Sequence, residues 1–233
     1  MLADSGSAPD CRSDPSELSV LLNVVFGSPA FARRDAQRNL ESMPTAYIGL
    51  GANLPSIAGS PEATLAAAAS RLPTLGRIVA RSSLYSTEPV GFADQPRFVN
   101  AVVALETELA PRTLLNELLA IEREFGRDRS ASLRNGPRTL DLDILLYGDQ
   151  IVSEPDLEIP HPRLAERAFA LVPLAEIATR VIDPASDRTV GQLLISLRAA
   201  TRDQADAVLP LQTQLWLADP GVAPGDAPQR ARS

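Results

Sequence analysis

Between Thr45 and about Leu197 the apolar positions of this chain recur with periods that can be read as elements, whereas both flanks show no sustained period. Tyr47 to Leu50 predicts a short strand running into Gly51-Ala52-Asn53. In SPEATLAAAASRLPTLG, Ser60 stands as N-cap and Pro61 at the first helical position, which predicts an alanine-rich helix stopping near Pro73. Arg77 to Thr87 alternates as a single strand, GFADQP turns the chain, and Phe98 to Glu106 alternates again with Phe98, Asn100 and Val102 on one face. Pro111 opens a second helix, in which Leu114, Leu118, Ile121 and Phe125 recur at helical spacing until Gly126 ends it. A strand follows in GPRTLDLDILLYG (136–148), then a proline-punctuated stretch and a third helix from Leu164 to Ala178.

The order is β-α-β-β-α-β, so the fold class expected is α+β: a ferredoxin-like core with an antiparallel sheet. Its helices would pack on one face, leaving the other partly free for a site, with an extra C-terminal helix added. Residues 1–44, rich in Ser, Asp, Pro and Ala, read as a disordered extension or as sequence upstream of a true start at Met43. The working domain is then 45–200, and 201–233 reads as a disordered tail.

One strand departs from ordinary core chemistry. If its side chains alternate, Leu140, Leu142, Ile144 and Leu146 face one way, and Asp141, Asp143, Leu145 and Tyr147 the other. Both carboxylates then share a face with Cα atoms about 6.5–7 Å apart, from twice the rise per residue. They can converge on one small cation; a wet face on an edge strand would carry the same pair.

Composition narrows the choice. The chain has 233 residues and a net charge of -7, against a general nucleic-acid or anionic-membrane binder. All 22 basic residues are arginine, which excludes a P-loop lysine and Schiff-base chemistry. One cysteine, Cys11, cannot form an internal disulfide, and one histidine, His161, cannot build a His-rich zinc site; a reducing cytoplasm fits both. The apolar piece SVLLNVVFG (19–27) follows an acidic leader, the wrong charge for a signal peptide. No apolar run reaches the ~18 residues of a membrane helix.

Basic charge is instead concentrated in GRDRSASLRNGPR (126–138), where Arg127, Arg129, Arg134 and Arg138 lead straight into the aspartates. Arginine forks match phosphate oxygens, and magnesium needs only one or two protein carboxylates beside substrate phosphates. Such a loop joined to such a pair suggests a polyphosphate bound with magnesium, although a solvated charged loop would look alike.

At this point the chain resembles the 6-hydroxymethyl-7,8-dihydropterin pyrophosphokinases of folate biosynthesis. The resemblance rests on AYIGLGANL (46–54), STEPVGFADQPRFVNAVVALET (86–107), the loop and strand at 126–148, and IPHPRLAERAFALVPLAEI (159–177). It implies transfer of a pyrophosphoryl group from ATP to the pterin hydroxymethyl oxygen, with AMP released. Asp141 and Asp143 match the family's ligands for two Mg2+ ions, and Arg129 and Arg138 its catalytic arginines. Glu122, Arg129, Arg138, Ile144, His161 and Arg167 match positions around ATP. The pterin would meet Asn100, lie between Phe98 and Phe169, and touch main chain near Thr87 and Val90, with Asp141 adjacent. The partners implied are ATP and the pterin alone, with a monomer expected.

The chain also departs from the pattern. Asn135 stands where members often carry tryptophan, Pro162 where a tyrosine often follows the histidine, and the arginine loop is one residue longer. Slower loop closure is expected; unchanged turnover and ATP affinity in Asn135→Trp would count against it. Two other readings fit the motifs less fully: a magnesium-dependent transferase acting on another heterocyclic alcohol, and a ferredoxin-like module that binds without chemistry.

Overall fold

The computed structural model describes residues 43–91, 94–128, 136–201, 207–213 and 216. In chain order the main elements are β1 (Thr45–Ala52), α1 (Pro61–Ala69), β2 (Arg77–Arg81), β3 (Leu84–Thr87), β4 (Phe98–Glu106), α2 (Pro111–Glu124) and β5 (Asp141–Tyr147). After them come the hairpin β6 (Val152–Glu154) and β7 (Leu157–Ile159), α3 (Ala168–Ala178), a small ladder of β8 (Ile182–Asp183) and β9 (Arg188–Thr189), α4 (Val190–Ala200) and β10 (Leu209–Leu211).

β4 is the centre of an antiparallel sheet whose path runs β10-β3-β4-β1-β5, with β2 also paired to β4. This is the expected split β-α-β-β-α-β order, and the fold is α+β as read from the sequence. Ala46, Ile48, Leu50 and Ala52 of β1 point to the face covered by α1 and α2, where Leu65, Leu114, Leu118, Leu142 and Ile144 complete the main core. Ser60 caps α1 by accepting from the Ala63 N–H, and Gly126 takes φ +80 just beyond α2, a conformation in which glycine ends helices without strain.

Four details differ from expectation. The strand expected from Arg77 to Thr87 is two strands, because Ser82 interrupts it: its N–H donates to the Val102 carbonyl, and its Oγ accepts from the Val102 N–H, both at 2.9 Å. The third helix begins at Ala168, since Leu164–Glu166 is a single 3-10 turn and Arg167 is extended at φ -107, ψ 96. The one extra helix is two: α3 and α4 form a second core with Tyr47, Val102, Leu145 and Leu146, so part of the sheet's other face is also covered. Within the expected tail, Leu209–Leu211 pairs with β3, and Trp216 is buried with its indole N–H donating to the Ser82 carbonyl at 2.6 Å. Pro210 hid that strand in the sequence, yet on an edge a proline costs no ladder hydrogen bond. No helix among the described residues is long and apolar enough to cross a membrane.

Candidate active site

A bulge in β5 sets the site's boundary. Tyr47 pairs with Leu146 and Ile48 with Ile144, so Leu145 is an extra residue. Asp141, Asp143 and Leu145 share one face as expected, but beyond the bulge the parity flips, sending Leu146 to the α3/α4 core and Tyr147 to the main core. The alternation drawn through Tyr147 therefore holds only to Leu145. The freed Leu145 carbonyl accepts the backbone N–H of His161 at 2.9 Å, which ties the His161 turn to the carboxylate strand.

Across the sheet, Gly51 is the register partner of both Asn100 on β4 and Asp141 on β5, and Gly49 of both Val102 and Asp143. Register partners show the same face, so two glycines pave the floor between the amide and the carboxylates. A Cβ on Gly51 would sit 3.0 Å from Asn100 Oδ1. These glycines were missed as site residues, although a G-x-G inside an apolar strand is the signal for a close approach.

On the β4 side the chemistry is neutral and buried. Asn100 is 6% exposed and Thr87 4%, and Asn100 Nδ2 donates to Thr87 Oγ1 at 2.8 Å. That bond fixes the amide's orientation and leaves Oδ1 above Gly51. Phe98 pairs with Thr87 across the strands, and Phe169 sits in the first turn of α3, which packs on β4 and β3. Glu176 of the same helix accepts from the Ser83 N–H and Oγ–H at 2.8 Å and from Tyr85 OH at 3.0 Å. Burial and that carboxylate push the Tyr85 phenol up to about 12. Val90 is exposed on the connection after β3.

On the β5 side the chemistry is ionic. Asp141 Oδ2 meets Arg138 Nη1 at 2.5 Å, and its Oδ1 lies 3.6 Å from Arg127 Nη2; Asp143 Oδ2 lies 3.7 Å from Arg167 Nη1. Two carboxylates thus face three guanidiniums, a local excess of positive charge in an acidic protein. Arg138 and Arg167 also stack over the rings of Phe98 and Phe169, at 5.4 and 5.5 Å from the centroids. Arg127 had no secure place in the sequence reading; here its side chain is 10% exposed and directed at Asp141.

His161 lies between donors. Its Nδ1 accepts the Arg163 N–H at 3.1 Å, in the turn that Pro162 starts, and its Nε2 is 3.0 Å from Arg167 Nη1. Burial first, and the Arg167 charge second, lower its pKa to about 4, so the ring is neutral near pH 7. Glu122, at the edge of α2's apolar stripe, is only 1% exposed, and its Oε1 accepts the Leu142 N–H at 2.8 Å. It links α2 to the strand between the two aspartates. Ile144 faces the main core, away from the carboxylates. Arg129, Arg134 and Asn135 lie outside the described residues.

Asp141 and Asp143 are hard oxygen donors already partnered by cations, and among the described residues no group of three His, Cys, Asp or Glu forms a metal cluster. That donor set fits magnesium, which completes its shell with phosphate oxygens and water.

Carboxylates paired with arginines thus meet a buried amide across one glycine floor, an arrangement suited to an enzyme of the transferase class. Comparison with known proteins narrows the class. Residues 47–179 match the family described as 7,8-dihydro-6-hydroxymethylpterin-pyrophosphokinase (HPPK). The chain is 54% identical over 132 residues to the 2-amino-4-hydroxy-6-hydroxymethyldihydropteridine pyrophosphokinase of Pseudomonas aeruginosa, covering 57% of this chain and 79% of that one. It is 48% identical over 146 residues to the protein of the same name from Haemophilus influenzae, covering 62% and 88%. In fold it is similar to the HPPK-DHPS crystal structure from Plasmodium falciparum, with TM-score 0.54 and 14% identity over 70% of this chain and 47% of that longer one. The chain belongs to the HPPK family of pyrophosphokinases.

Proposed function

We propose that the protein transfers a pyrophosphoryl group from ATP to the hydroxymethyl oxygen of 6-hydroxymethyl-7,8-dihydropterin, a step of tetrahydrofolate synthesis. The observation that carries this reading is the juxtaposition across Gly51 of Asn100, whose buried amide can answer a pterin edge, with Asp141 amid its arginines. The names of the relatives supply the substrate.

Asn100, held by Thr87, offers Oδ1 and its second N–H to the pterin ring, while Phe98 and Phe169 supply apolar area for its faces. Main chain near Thr87 and Val90 completes the pocket. Arg127, Arg129, Arg138, Arg167 and neutral His161 take the triphosphate, with Arg138 and Arg167 exchanging their aspartates for phosphate oxygens. Glu122 holds α2 and β5 together behind the nucleotide. Asp141 and Asp143 would hold magnesium, two ions on the family pattern, which when bound supplies charge neutralisation across the triphosphate.

The pterin hydroxymethyl oxygen bonds to the β-phosphorus, and the bond from that phosphorus to the oxygen bridging it to the α-phosphorus breaks. AMP leaves with that oxygen, and the hydroxyl proton passes to solvent. None of the side chains described above is placed as a dedicated base, so alignment and charge stabilisation provide most of the rate. The same reading includes a monomer working in the cytoplasm.

The test is to mix the protein with ATP, magnesium and the pterin, then separate the nucleotides by chromatography. Pterin-dependent AMP is expected; ADP would mean ordinary transfer of the terminal phosphate and would overturn the reading.

A further inference from the structure

Asn53 has no part in the reaction just described, yet it touches both halves of the site. It lies just beyond β1, two residues after Gly51, and is 3% exposed. Its Nδ2 donates to Gln95 Oε1 and to the Pro96 carbonyl, each at 3.0 Å, on the segment that leads into Phe98. Its Oδ1 accepts the Arg138 N–H at 2.7 Å. The backbone N–H groups of Asn53 and Leu54 both donate to the Arg138 carbonyl, at 3.0 and 3.1 Å. The two backbone partners settle which way the amide points, because a carbonyl must face N–H and an N–H must face oxygen.

One small buried side chain therefore joins the wall of the neutral pocket to the residue that carries the Arg138 guanidinium. Arg138 in turn stacks on Phe98 and pairs with Asp141. We propose that Asn53 is a positioning residue that couples the two substrate half-sites: through its amide, the position of the Gln95–Phe98 wall and that of Arg138 are set together. Filling one half-site then pre-orders the other. This rests on the diphosphotransferase reading above, since it takes the two half-sites to be those of the pterin and the nucleotide.

The side chain's divided chemistry supplies the experiment. Asn53→Asp keeps an oxygen for the Arg138 N–H but turns an oxygen toward the Pro96 carbonyl, so it breaks that wall contact, while Gln95 can rotate its amide to donate to the new carboxylate. Asn53→Ala breaks both sides, and Gln95→Ala removes one wall contact from outside. Each variant and the wild type are titrated by calorimetry with α,β-methylene ATP and magnesium, with and without 6-hydroxymethylpterin, and the ratio of the two affinities is the coupling factor. The wild type is expected to bind the nucleotide analogue more tightly when the pterin is present. Asn53→Asp should reduce that ratio by about fivefold or more, the scale of one buried hydrogen bond. Gln95→Ala should reduce it less, and thermal melts identify any variant that does not fold.

A ratio unchanged in Asn53→Asp, or both affinities falling together with the ratio intact, would mean a merely structural amide and overturn the proposal. A wild type with no coupling would overturn it as well. A wild type that binds no pterin at all would instead sink the reaction reading on which it stands.

Discussion

The two sides of the glycine floor are built by opposite physical means. On the β4 side, Asn100 and Thr87 are buried and neutral, and a 2.8 Å hydrogen bond sets the amide before any ligand arrives. On the β5 side, Asp141 and Asp143 are partly exposed and balanced by arginines at 2.5 to 3.7 Å. The first side selects by fixed geometry, since a buried amide left unanswered is costly. The second holds charges in provisional pairs, which a polyphosphate and its metal can take over at little net cost because each ion trades one partner for another. In the proposed reaction, the rigid side would serve the flat substrate and the exchangeable side the charged one, a division that suits a two-substrate transfer.

The largest effect should come from the ionic side. Asp143→Ala removes a proposed magnesium ligand and the carboxylate beside Arg167, and kcat should fall by about 10²–10³-fold or more, on the scale of lost electrostatic stabilisation. Steady-state rates of AMP release would show it; activity at the wild-type level would break the assignment of that side. Next comes Asn100→Ala, expected to lower kcat/KM for the pterin by about 10²-fold, with KM for MgATP nearly unchanged. Equal losses for both substrates would mean that the two sides are not separable.

Much of this division was legible in the sequence, and the parts that were not have identifiable reasons. The β4 face and the α2 stripe follow simple periods, and the structure keeps both with the expected bounds: β4 runs Phe98–Glu106 and α2 begins at Pro111. The bulge at Leu145 could not be read, because it depends on how β5 must register against β1, and every residue around it is apolar. Glu122 could not be told from an exposed helix acid in the sequence, because its partner, the Leu142 N–H, belongs to a strand 20 residues away. Asn53 showed only as the residue the first strand runs into, for the same reason: its contacts reach 42 to 85 positions along the chain. Local pattern tells which face a residue occupies, and long-range register tells whom it meets.

The glycine floor offers a finer test between the two sides. In Gly51→Ala the new Cβ meets Asn100 Oδ1 at 3.0 Å, tighter than normal contact, while Thr87 holds the amide from the other side. Pterin affinity should fall by about 5- to 10-fold, the equivalent of one weakened hydrogen bond. Nucleotide affinity should move less, because no carboxylate oxygen lies within reach of that Cβ. Calorimetric titration with each ligand alone separates the two; a larger loss for the nucleotide would reverse the assignment of the sides.

The smallest effect is on stability. His161 is the chain's single histidine, so its ring protons can be followed by NMR without assignment. Burial and Arg167 depress its pKa from 6.5 to about 4, meaning that protonation favours the unfolded chain. Its contribution to stability is therefore complete above pH 6.5, declines as the pH falls, and is gone below about 4. Arg167→Gln removes the second cause but not the first, so the midpoint should rise part of the way back and stop short of 6.5. A ring that titrates at 6.5 in the wild type would show that neither burial nor the guanidinium governs it, and the ionic side would then extend no further than the aspartates and their arginines.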